Sequence, residues 1–303
     1  MKWEDESSIR GKIMSEMIRH LTSLEGVGKK LQDGTLRQNL IEPPWSVPKK
    51  FCRTQIERED YTMDWIQPQN GNHQRAVLQL HGGGYISGMR NVYRTFAVQY
   101  SKFYDDCDVL VPDYRIAPKN PFPAALEDAI DAYRWLLRNG YEIVVVGDSA
   151  GGGLALALGH YLKSQGEPLP KAFVLMSPWT DLTLSGESME EKYEIDPLFG
   201  NTKESMLFNS SYIGEEDPKH PLLSPLFGEF TDFPPMLIQV GAHEMLLSDS
   251  ERVAIKANEQ GVKVQYTVYP GMFHDFQMGM GLMKESKEAW KEVKQFLKFI
   301  LEG

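Results

Sequence analysis

The stretch that decides the fold is IVVVGDSAGG, residues 143–152, where an apolar run with three valines meets a serine between glycines. A run of β-branched residues of this length is typical of a strand buried on both faces of a parallel sheet. The residues that follow, GGLALALGHYLKS (152–164), have the alanines and leucines of a helix. The turn between strand and helix must therefore be tight, and glycines two residues before and after Ser149 let backbone segments approach there without Cβ clashes.

Ser149 stands at the centre of this turn, after Asp148, in the pattern GxSxG. Such a nucleophile elbow holds a serine in a strained conformation and lifts its hydroxyl clear of the sheet. A glycine-rich turn between a strand and a helix can also hold a phosphate, but here there is no GxGxxG and no Lys-Ser or Lys-Thr pair closing the loop. Ser149 is therefore a candidate nucleophile, and the rest of the chain must supply its partners.

Apolar runs on both sides of this turn predict the rest of a sheet. Six short runs, with helix-like stretches between most of them, call for a parallel α/β sheet with right-handed crossovers. They lie at 75–80, 109–115, 142–147, 172–177, 236–241 and 264–269. Two earlier stretches, FCRTQIER (51–58) and DYTMDWI (60–66), have the aromatic and β-branched content of paired antiparallel strands.

Length and charge limit the class of protein. With 303 residues and 42% hydrophobic content, the chain can bury a large core, and we expect a single domain over 1–303. Acidic residues outnumber basic ones by 42 to 32, which disfavours a nucleic-acid or anionic-membrane partner.

Targeting and cysteine patterns narrow the class further. The N-terminus is too charged for a signal peptide, and no apolar run approaches the length of a membrane span, so we expect a cytoplasmic protein without stable membrane insertion. Cys52 and Cys107 stand in no metal-ligand spacing. We therefore expect neither a disulfide framework nor a zinc site.

Two segments are predicted to form a cap over one edge of the sheet. Apolar residues at helical spacing describe an amphipathic helix near the N-terminus, which could also simply pack on the core; they are Ile9, Ile13, Met17, Ile18, Leu21 and Leu24. An insertion at 184–234 carries charged and aromatic residues and helical stretches. We expect the cap to be formed by about 1–48 and about 184–220.

The stretch HGGGY (81–85) follows the run at 75–80, at the carboxyl end of a predicted strand, where α/β sheets carry their sites. Its three glycines, Gly82, Gly83 and Gly84, have no side chains to shield the backbone, so their N–H groups can point at a developing negative charge. A flexible or tight loop without such a function is the alternative. His81 precedes the glycines and is expected to hold the loop by hydrogen bonding.

His274 in YPGMFHDF (269–276) is the candidate general base. It follows the last predicted strand, and a histidine that titrates near neutrality can take and return a proton. The order serine, acid, histidine along the chain is the order of this class of fold. The histidines less suited by position are His20, His73, His81, His160, His220 and His243.

The acid that orients the imidazole is expected after the preceding strand, in AHEMLLSDS (242–250). Glu244 stands three residues past Gly241 and is still in the loop. Asp249 lies where a helix already begins, so we expect it to have a capping or packing function. Glu244 is therefore our candidate for the acid.

Six motifs of this chain resemble those of one known family, the hormone-sensitive-lipase-like branch of the α/β-hydrolases. That branch includes many bacterial carboxylesterases and arylacetamide deacetylase. In chain order they are HGGGY (81–85), DYRIAPKNPFPAALEDA (113–129), GDSAGG (147–152), SPWTDLT (177–183), SPLFG (224–228) and YPGMFHDF (269–276). The resemblance covers roughly 70–300. It implies an α/β-hydrolase fold: a mostly parallel central sheet flanked by helices, with a helical cap.

The resemblance also implies site residues. Ser149 matches the family's nucleophile and His274 its histidine, while the backbone N–H groups of Gly83, Gly84 and Ala150 match its oxyanion donors. Family members commonly carry Asp in a DPL motif where this chain has Glu244-Met245-Leu246. Glutamate is one methylene longer and can still accept the imidazole N–H.

The expected function is a serine carboxylesterase for short- to medium-chain acyl esters, with no metal or organic cofactor and a small-molecule ester as its partner. An amidase or deacetylase with the same mechanism is an alternative, and a non-catalytic small-molecule receptor on this scaffold is another. The resemblance implies a homodimer formed through the sheet edge or its neighbouring helices. Aromatic and apolar residues of the cap are candidate pocket walls: Phe199, Met206, Leu207, Phe208 and Tyr212.

Overall fold

The computed structural model describes residues 7–24, 27, 30, 42–200 and 210–302, and one eight-stranded sheet lies at its centre. The strands are β1 (Phe51–Glu57), β2 (Thr62–Pro68), β3 (Asn72–Leu80), β4 (Cys107–Asp113), β5 (Glu142–Asp148), β6 (Phe173–Met176), β7 (Met236–Gly241) and β8 (Val264–Tyr269). Their order across the sheet is β1-β2-β4-β3-β5-β6-β7-β8. Strands β1, β2 and β4 pair antiparallel, and all later neighbours pair parallel.

Helices cover both faces of this sheet. They are α1 (Ile9–Thr22), α2 (Asn91–Phe103), α3 (Ala124–Arg138), α4 (Ser149–Gln165), α5 (Ser188–Glu191), α6 (Ser210–Ile213), α7 (Leu247–Glu259) and α8 (Lys284–Glu302), with short 3-10 turns at Pro225–Phe227 and Phe276–Gly279. Helices α3, α4 and α7 pack on one face, and α2 and α8 pack on the other. The predicted α/β-hydrolase fold is confirmed.

Strand β5 shows why the valine run decides this architecture. Val145 packs into the apolar layer beneath α3 and α4, whereas Val144 and Val146 pack into the layer beneath α2 and α8. All three side chains are fully buried, because β5 lies between β3 and β6 with helices on both faces. A continuous apolar run is what such a strand requires, since both of its faces are covered.

Most of the apolar residues predicted to form the buried side of helix α1 (Ile9–Thr22) are exposed. Ile18 packs against the cluster around Met272, but Ile9 and Ile13 are 77% and 62% exposed, and Met17, Leu21 and Leu24 are also exposed. The helix is attached through the opposite, narrow face, where a Cβ on Gly11 would lie 2.7 Å from the Met272 side chain. The prediction that these apolar residues pack on the core is therefore wrong for most of them.

The described part of the insertion after β6 contains two short helices. Its described helices, α5 and α6, have four residues each, and turns connect them to the sheet. Ser188 on α5 anchors the segment, because its hydroxyl lies within hydrogen-bonding distance of Ser248 on α7. Hydrogen bonds from Arg19 to the carbonyls of Glu194 and Ile195 join α1 to the same segment. The division into a single domain with a cap stays a prediction.

No helix in the described part of the chain is both long enough and apolar enough to cross a bilayer. Helix α8, with 19 residues, buries Trp290, Val293 and Leu297 against the sheet. Its lysines point outward along the rest of its length and are exposed. The cytoplasmic location stays a prediction.

Candidate active site

The turn from β5 to α4 holds Ser149 in an unusual backbone conformation. Strand β5 ends at Asp148 and α4 begins at Ser149, with no connecting residue. Ser149 has φ +51°, in the left-handed region that a serine rarely adopts. Backbone strain of this kind is costly, and it persists at functional sites because the surrounding structure enforces it. The sharp turn leaves the hydroxyl at the end of the sheet, as in a nucleophile elbow.

Glycines on both sides of Ser149 make this turn possible. A Cβ on Gly147 would lie 2.3 Å from the carbonyl oxygen of Gly151, on the far side of the turn. A Cβ on Gly151 would lie 2.1 Å from the carbonyl oxygen of Leu80 and 2.5 Å from that of His81. Since these neighbours are backbone atoms of the helix start and of the end of β3, they cannot move aside. The pattern GxSxG is thus a packing requirement at this position.

Replacing Gly151 with alanine is expected to destabilise the fold by about 3 kcal/mol or more, because the new methyl group meets backbone of the strand β3 end. The measurement is the free energy of unfolding in denaturant. Gly281→Ala is the matched control, since a Cβ at Gly281 meets open space and should change stability by no more than about 0.5 kcal/mol. Equal stability of the two variants would contradict the steric argument.

His274 lies in the loop after β8, with Ser149 on one side of its ring and Glu244 on the other. Its Nε2 is 2.9 Å from the Ser149 hydroxyl oxygen, and its Nδ1 is 2.8 Å from a carboxylate oxygen of Glu244. A carboxylate only accepts, so Nδ1 carries the proton and, in the neutral ring, Nε2 is free to accept from the hydroxyl. All three side chains are buried. The structure brings together the serine, histidine and acid singled out in the sequence.

Both carboxylate oxygens of Glu244 are engaged. One accepts the Nδ1–H of His274, and the other accepts the hydroxyl of Ser177 at 2.8 Å and the backbone N–H of Gly241 at 2.5 Å. Three donors on one buried carboxylate fix its orientation. The contribution of Ser177 was not found from the sequence, although Ser177 opens the motif SPWTDLT. The signal available was its position directly after β6, at the same sheet edge.

Asp249 does not face the imidazole. It lies in the first turn of α7, fully buried, and one of its carboxylate oxygens accepts the backbone N–H groups of Thr180 and Asp181 at 2.7 and 2.8 Å. Its expected helix-capping function is wrong, because α7 begins at Leu247 without a side-chain cap and Asp249 binds the loop after β6 instead. Burial raises the pKa of Asp249 to about 7.

Charges around His274 favour its protonated form. Burial alone would lower the pKa of the imidazole, but the carboxylates of Asp275, Glu244 and Asp196 outweigh burial and raise that pKa to about 9. Asp196 is buried in the segment after α5 and accepts the backbone N–H of Met245, next to Glu244. The surrounding carboxylates therefore stabilise the imidazolium that forms when His274 takes a proton.

Asp148 holds the loop HGGGY next to the serine turn through hydrogen bonds. One carboxylate oxygen of Asp148 accepts the Gly82 N–H at 3.1 Å, and the other accepts the Tyr93 hydroxyl at 3.0 Å. His81 is fully buried, stacks on Tyr114 with ring centroids 4.1 Å apart, and its Nδ1 lies 2.8 Å from the Gly82 carbonyl. The residue before the serine and the histidine before the glycines thus hold the same loop.

Positive φ angles shape this loop at its two remaining glycines. Gly83 and Gly84 have φ of +127° and +63°, and the Gly83 carbonyl accepts the N–H groups of Ile86 and Ser87 in a tight turn. These bonds describe a tight turn, and the oxyanion function of the loop stays a prediction. Ala150 lies in the first turn of α4, where the N–H groups have no partner within the helix. Donors of this kind suit an anion at a helix N-terminus.

Two of the predicted pocket walls are described, and they behave differently. The ring of Phe199 lies 4.9 Å from the imidazole of His274, so Phe199 does border the site. Tyr212 is 1% exposed and stacks on Tyr85 of the HGGGY loop at 3.7 Å, so it belongs to the core. Met206, Leu207 and Phe208 lie outside the described residues.

His160 is a buried packing residue. His160, on α4, is 2.9 Å from the Pro225 carbonyl, and burial lowers its pKa to about 4. Across the described ranges, no group of three or more His, Cys, Asp or Glu side chains is arranged to hold a metal ion. Both cysteines are free thiols, Cys107 buried and Cys52 exposed.

Comparisons with known proteins identify the family of this chain. A sequence model of a family with the alpha/beta hydrolase fold matches residues 77–278. An acetyl-hydrolase from Streptomyces hygroscopicus is 37% identical over 242 residues, covering 78% of this chain and 79% of the relative.

Solved structures match over nearly the whole chain. An esterase of the bacterial hormone-sensitive lipase (HSL) family has a TM-score of 0.82 and 32% identity, and the match covers 96% of this chain and 97% of that one. The esterase EstE5, in crystals soaked with p-nitrophenyl butyrate, has a TM-score of 0.85 and 31% identity, covering 98% of this chain and all of that one.

Proposed function

This chain belongs to the α/β-hydrolase family, in its hormone-sensitive-lipase-like branch, and on that premise we propose that it is a serine carboxylesterase acting through an acyl-enzyme. It is an enzyme of the carboxylic ester hydrolase class. One observation carries the proposal: the hydrogen-bonded series Ser149, His274 and Glu244, with 2.9 and 2.8 Å between the polar atoms. A nucleophile, a base and an acid that orients the base are the minimum that acyl transfer of this type needs.

In the proposed acylation step, the Ser149 oxygen attacks the ester carbonyl carbon while Nε2 of His274 takes the hydroxyl proton. Glu244 holds the imidazole in the tautomer with the proton on Nδ1 and stabilises the imidazolium that forms. As the tetrahedral intermediate collapses, His274 returns the proton to the leaving alcohol oxygen. The acyl group is then bound to Ser149 as an ester.

In the proposed deacylation step, His274 takes a proton from water as the water oxygen attacks the acyl-enzyme carbonyl. The bond to the Ser149 oxygen breaks, and His274 returns the proton to that oxygen. The carboxylic acid leaves and the enzyme is regenerated. No metal or organic cofactor takes part in either step as proposed.

The N–H groups of Gly83, Gly84 and Ala150 are proposed to bind the oxyanion of both intermediates. The positive φ angles of the two glycines and the helix N-terminal position of Ala150 support this assignment. Removal of one such donor typically costs about 3 kcal/mol of transition-state stabilisation. Asp148 holds the loop through Gly82, which would keep these donors in place before substrate arrives.

We further propose that about 1–48 and about 184–220 form a cap that limits the acyl group to short or medium length. Phe199, beside His274, supports a wall close to the reacting atoms. The names of the related proteins support small acyl groups, since one is an acetyl-hydrolase and one crystal was soaked with a butyrate ester.

A series of p-nitrophenyl esters from acetate to laurate tests this function. We expect kcat/KM to be highest between acetate and hexanoate and at least about tenfold lower for laurate, because the proposed cap would exclude a long acyl chain from Ser149. p-Nitroacetanilide, the amide analogue of the acetate ester, is expected to react much more slowly; the opposite order would favour an amidase. A folded protein that hydrolyses none of these esters would overturn the proposal.

A further inference from the structure

A second carboxylate lies beside the imidazole, on the side that faces the serine. An oxygen of Asp275 is 3.2 Å from Nε2 of His274, the atom that also lies 2.9 Å from the Ser149 hydroxyl. The Asp275 side chain is only 10% exposed and that of His274 only 2%. Nε2 therefore lies between the hydroxyl and a carboxylate, while Nδ1 is held by Glu244 on the opposite side.

Asp275 does not have the capping function that an aspartate usually has before a helical turn. Asp275 directly precedes the 3-10 turn Phe276–Gly279, where an aspartate normally accepts a backbone N–H of the turn. Its side chain makes no such capping bond. The residue has φ +54° and ψ +33°, a left-handed conformation that aspartate tolerates better than most residues, and its carboxylate lies beside the ring of the preceding histidine.

The backbone of Asp275 is joined to the same network. Its N–H donates to the hydroxyl of Ser177 at 3.4 Å, and that hydroxyl donates to Glu244. Asp275 is thus fixed relative to the acid that orients the imidazole.

We propose that Asp275 is a positioning residue whose carboxylate pairs with the imidazolium form of His274 from the Nε2 side and so sets the pH range in which His274 can act as a base. This inference rests on the proposed function for its effect on catalysis. When Nε2 takes the proton of Ser149, the positive charge forms between Glu244 and Asp275. Asp275 itself exchanges no proton and forms no bond.

The groups that face His274 come from several elements. Glu244 comes from the loop after β7, Asp196 from the segment after α5, and Asp275 from the histidine loop itself. Against the effect of burial, all three carboxylates raise the pKa of His274. The ring centroid of Phe199 lies 4.9 Å from that of the imidazole. On α2, burial and then the charges of Asp148 and Asp275 raise the pKa of Tyr100. Removing the Asp275 charge leaves Glu244 and Asp196 in place, so its contribution can be separated from theirs.

The test compares pH profiles of kcat/KM for p-nitrophenyl acetate in the native protein, Asp275→Asn and Asp275→Gly. Both replacements tolerate a left-handed backbone but lack the charge. We expect the acidic limb to move to lower pH by about one unit in both variants, because a carboxylate within ion-pair distance stabilises the protonated ring by that amount or more. Relative to the native enzyme, both variants should then be more active at acidic pH and less active at alkaline pH.

Asp232→Asn is the matched control, since Asp232 is an exposed aspartate with φ +64° and its replacement should leave the limb unchanged. If Asp275 had only a structural function, its replacement would lower kcat/KM at every pH without shifting the acidic limb of the pH profile. NMR titration of the His274 ring, assigned by its absence in His274→Ala, gives the same pKa without using activity. An imidazole pKa equal to the native value in both variants would overturn this inference, whether or not the protein hydrolyses esters.

Discussion

Ser149→Ala is expected to lower kcat/KM for p-nitrophenyl acetate by about 10³-fold or more, because no other group can form the acyl-enzyme. The alanine can adopt the same backbone conformation with similar strain, so the free energy of unfolding should stay within about 1 kcal/mol of the native value. The measurements are the steady-state rates and a denaturant titration on the same preparation.

Ser250→Ala is the matched control for this variant. Ser250 is a fully buried serine on α7, and its hydroxyl has no hydrogen-bond partner among the residues described. Its removal should leave kcat/KM near the native value. A Ser149→Ala protein that folds and keeps a substantial fraction of native activity would rule out the proposed nucleophile.

Glu244→Gln is expected to lower kcat by about 10²- to 10⁴-fold with little change in KM. The N–H of Gly241 requires an oxygen at one side-chain position, so the amide nitrogen must face His274. An amide nitrogen donates, and the imidazole must then carry its proton on Nε2, where it can no longer accept the Ser149 proton. The measurement is kcat and KM for a short ester, with thermal unfolding to show that the variant is folded.

Asp249→Asn distinguishes the two acids considered in the sequence. Burial raises the pKa of Asp249 to about 7, and its oxygen that accepts two backbone N–H groups is kept in asparagine, so kcat should stay within about threefold of native. The expected cost is in stability, about 1 kcal/mol. Loss of kcat in Asp249→Asn with native kcat in Glu244→Gln would reverse our assignment of the acid.

Much of the fold could be predicted because its determinants are local. The valines of β5 indicate a strand that is buried on both faces. Gly147 and Gly151 indicate a close approach of backbone segments that a Cβ would prevent. The chemistry-bearing residues could be selected because they directly follow apolar runs, and parallel strands bring their carboxyl ends to one edge.

The parts that could not be predicted depend on distant contacts. Helical spacing shows that α1 has an apolar stripe, but not that Gly11 brings the opposite face against Met272. A serine after β6 or an aspartate after a histidine has no distinctive spacing, so Ser177 and Asp275 emerged only from their positions around Glu244 and His274. The choice between Glu244 and Asp249 likewise depends on which carboxylate the folded loop turns toward the ring.

The arrangement of the parallel strands has a consequence for folding. The candidate residues come from the ends of β3, β5, β7 and β8, and the first and last of them, His81 and His274, are far apart in the chain. Pairing of β3 with β5, and of β7 with β8, closes long loops, which is slow compared with helix formation. Enzymatic activity should therefore return only when the last strand has docked, so that turnover reports completion of the sheet and not the earlier gain of helix.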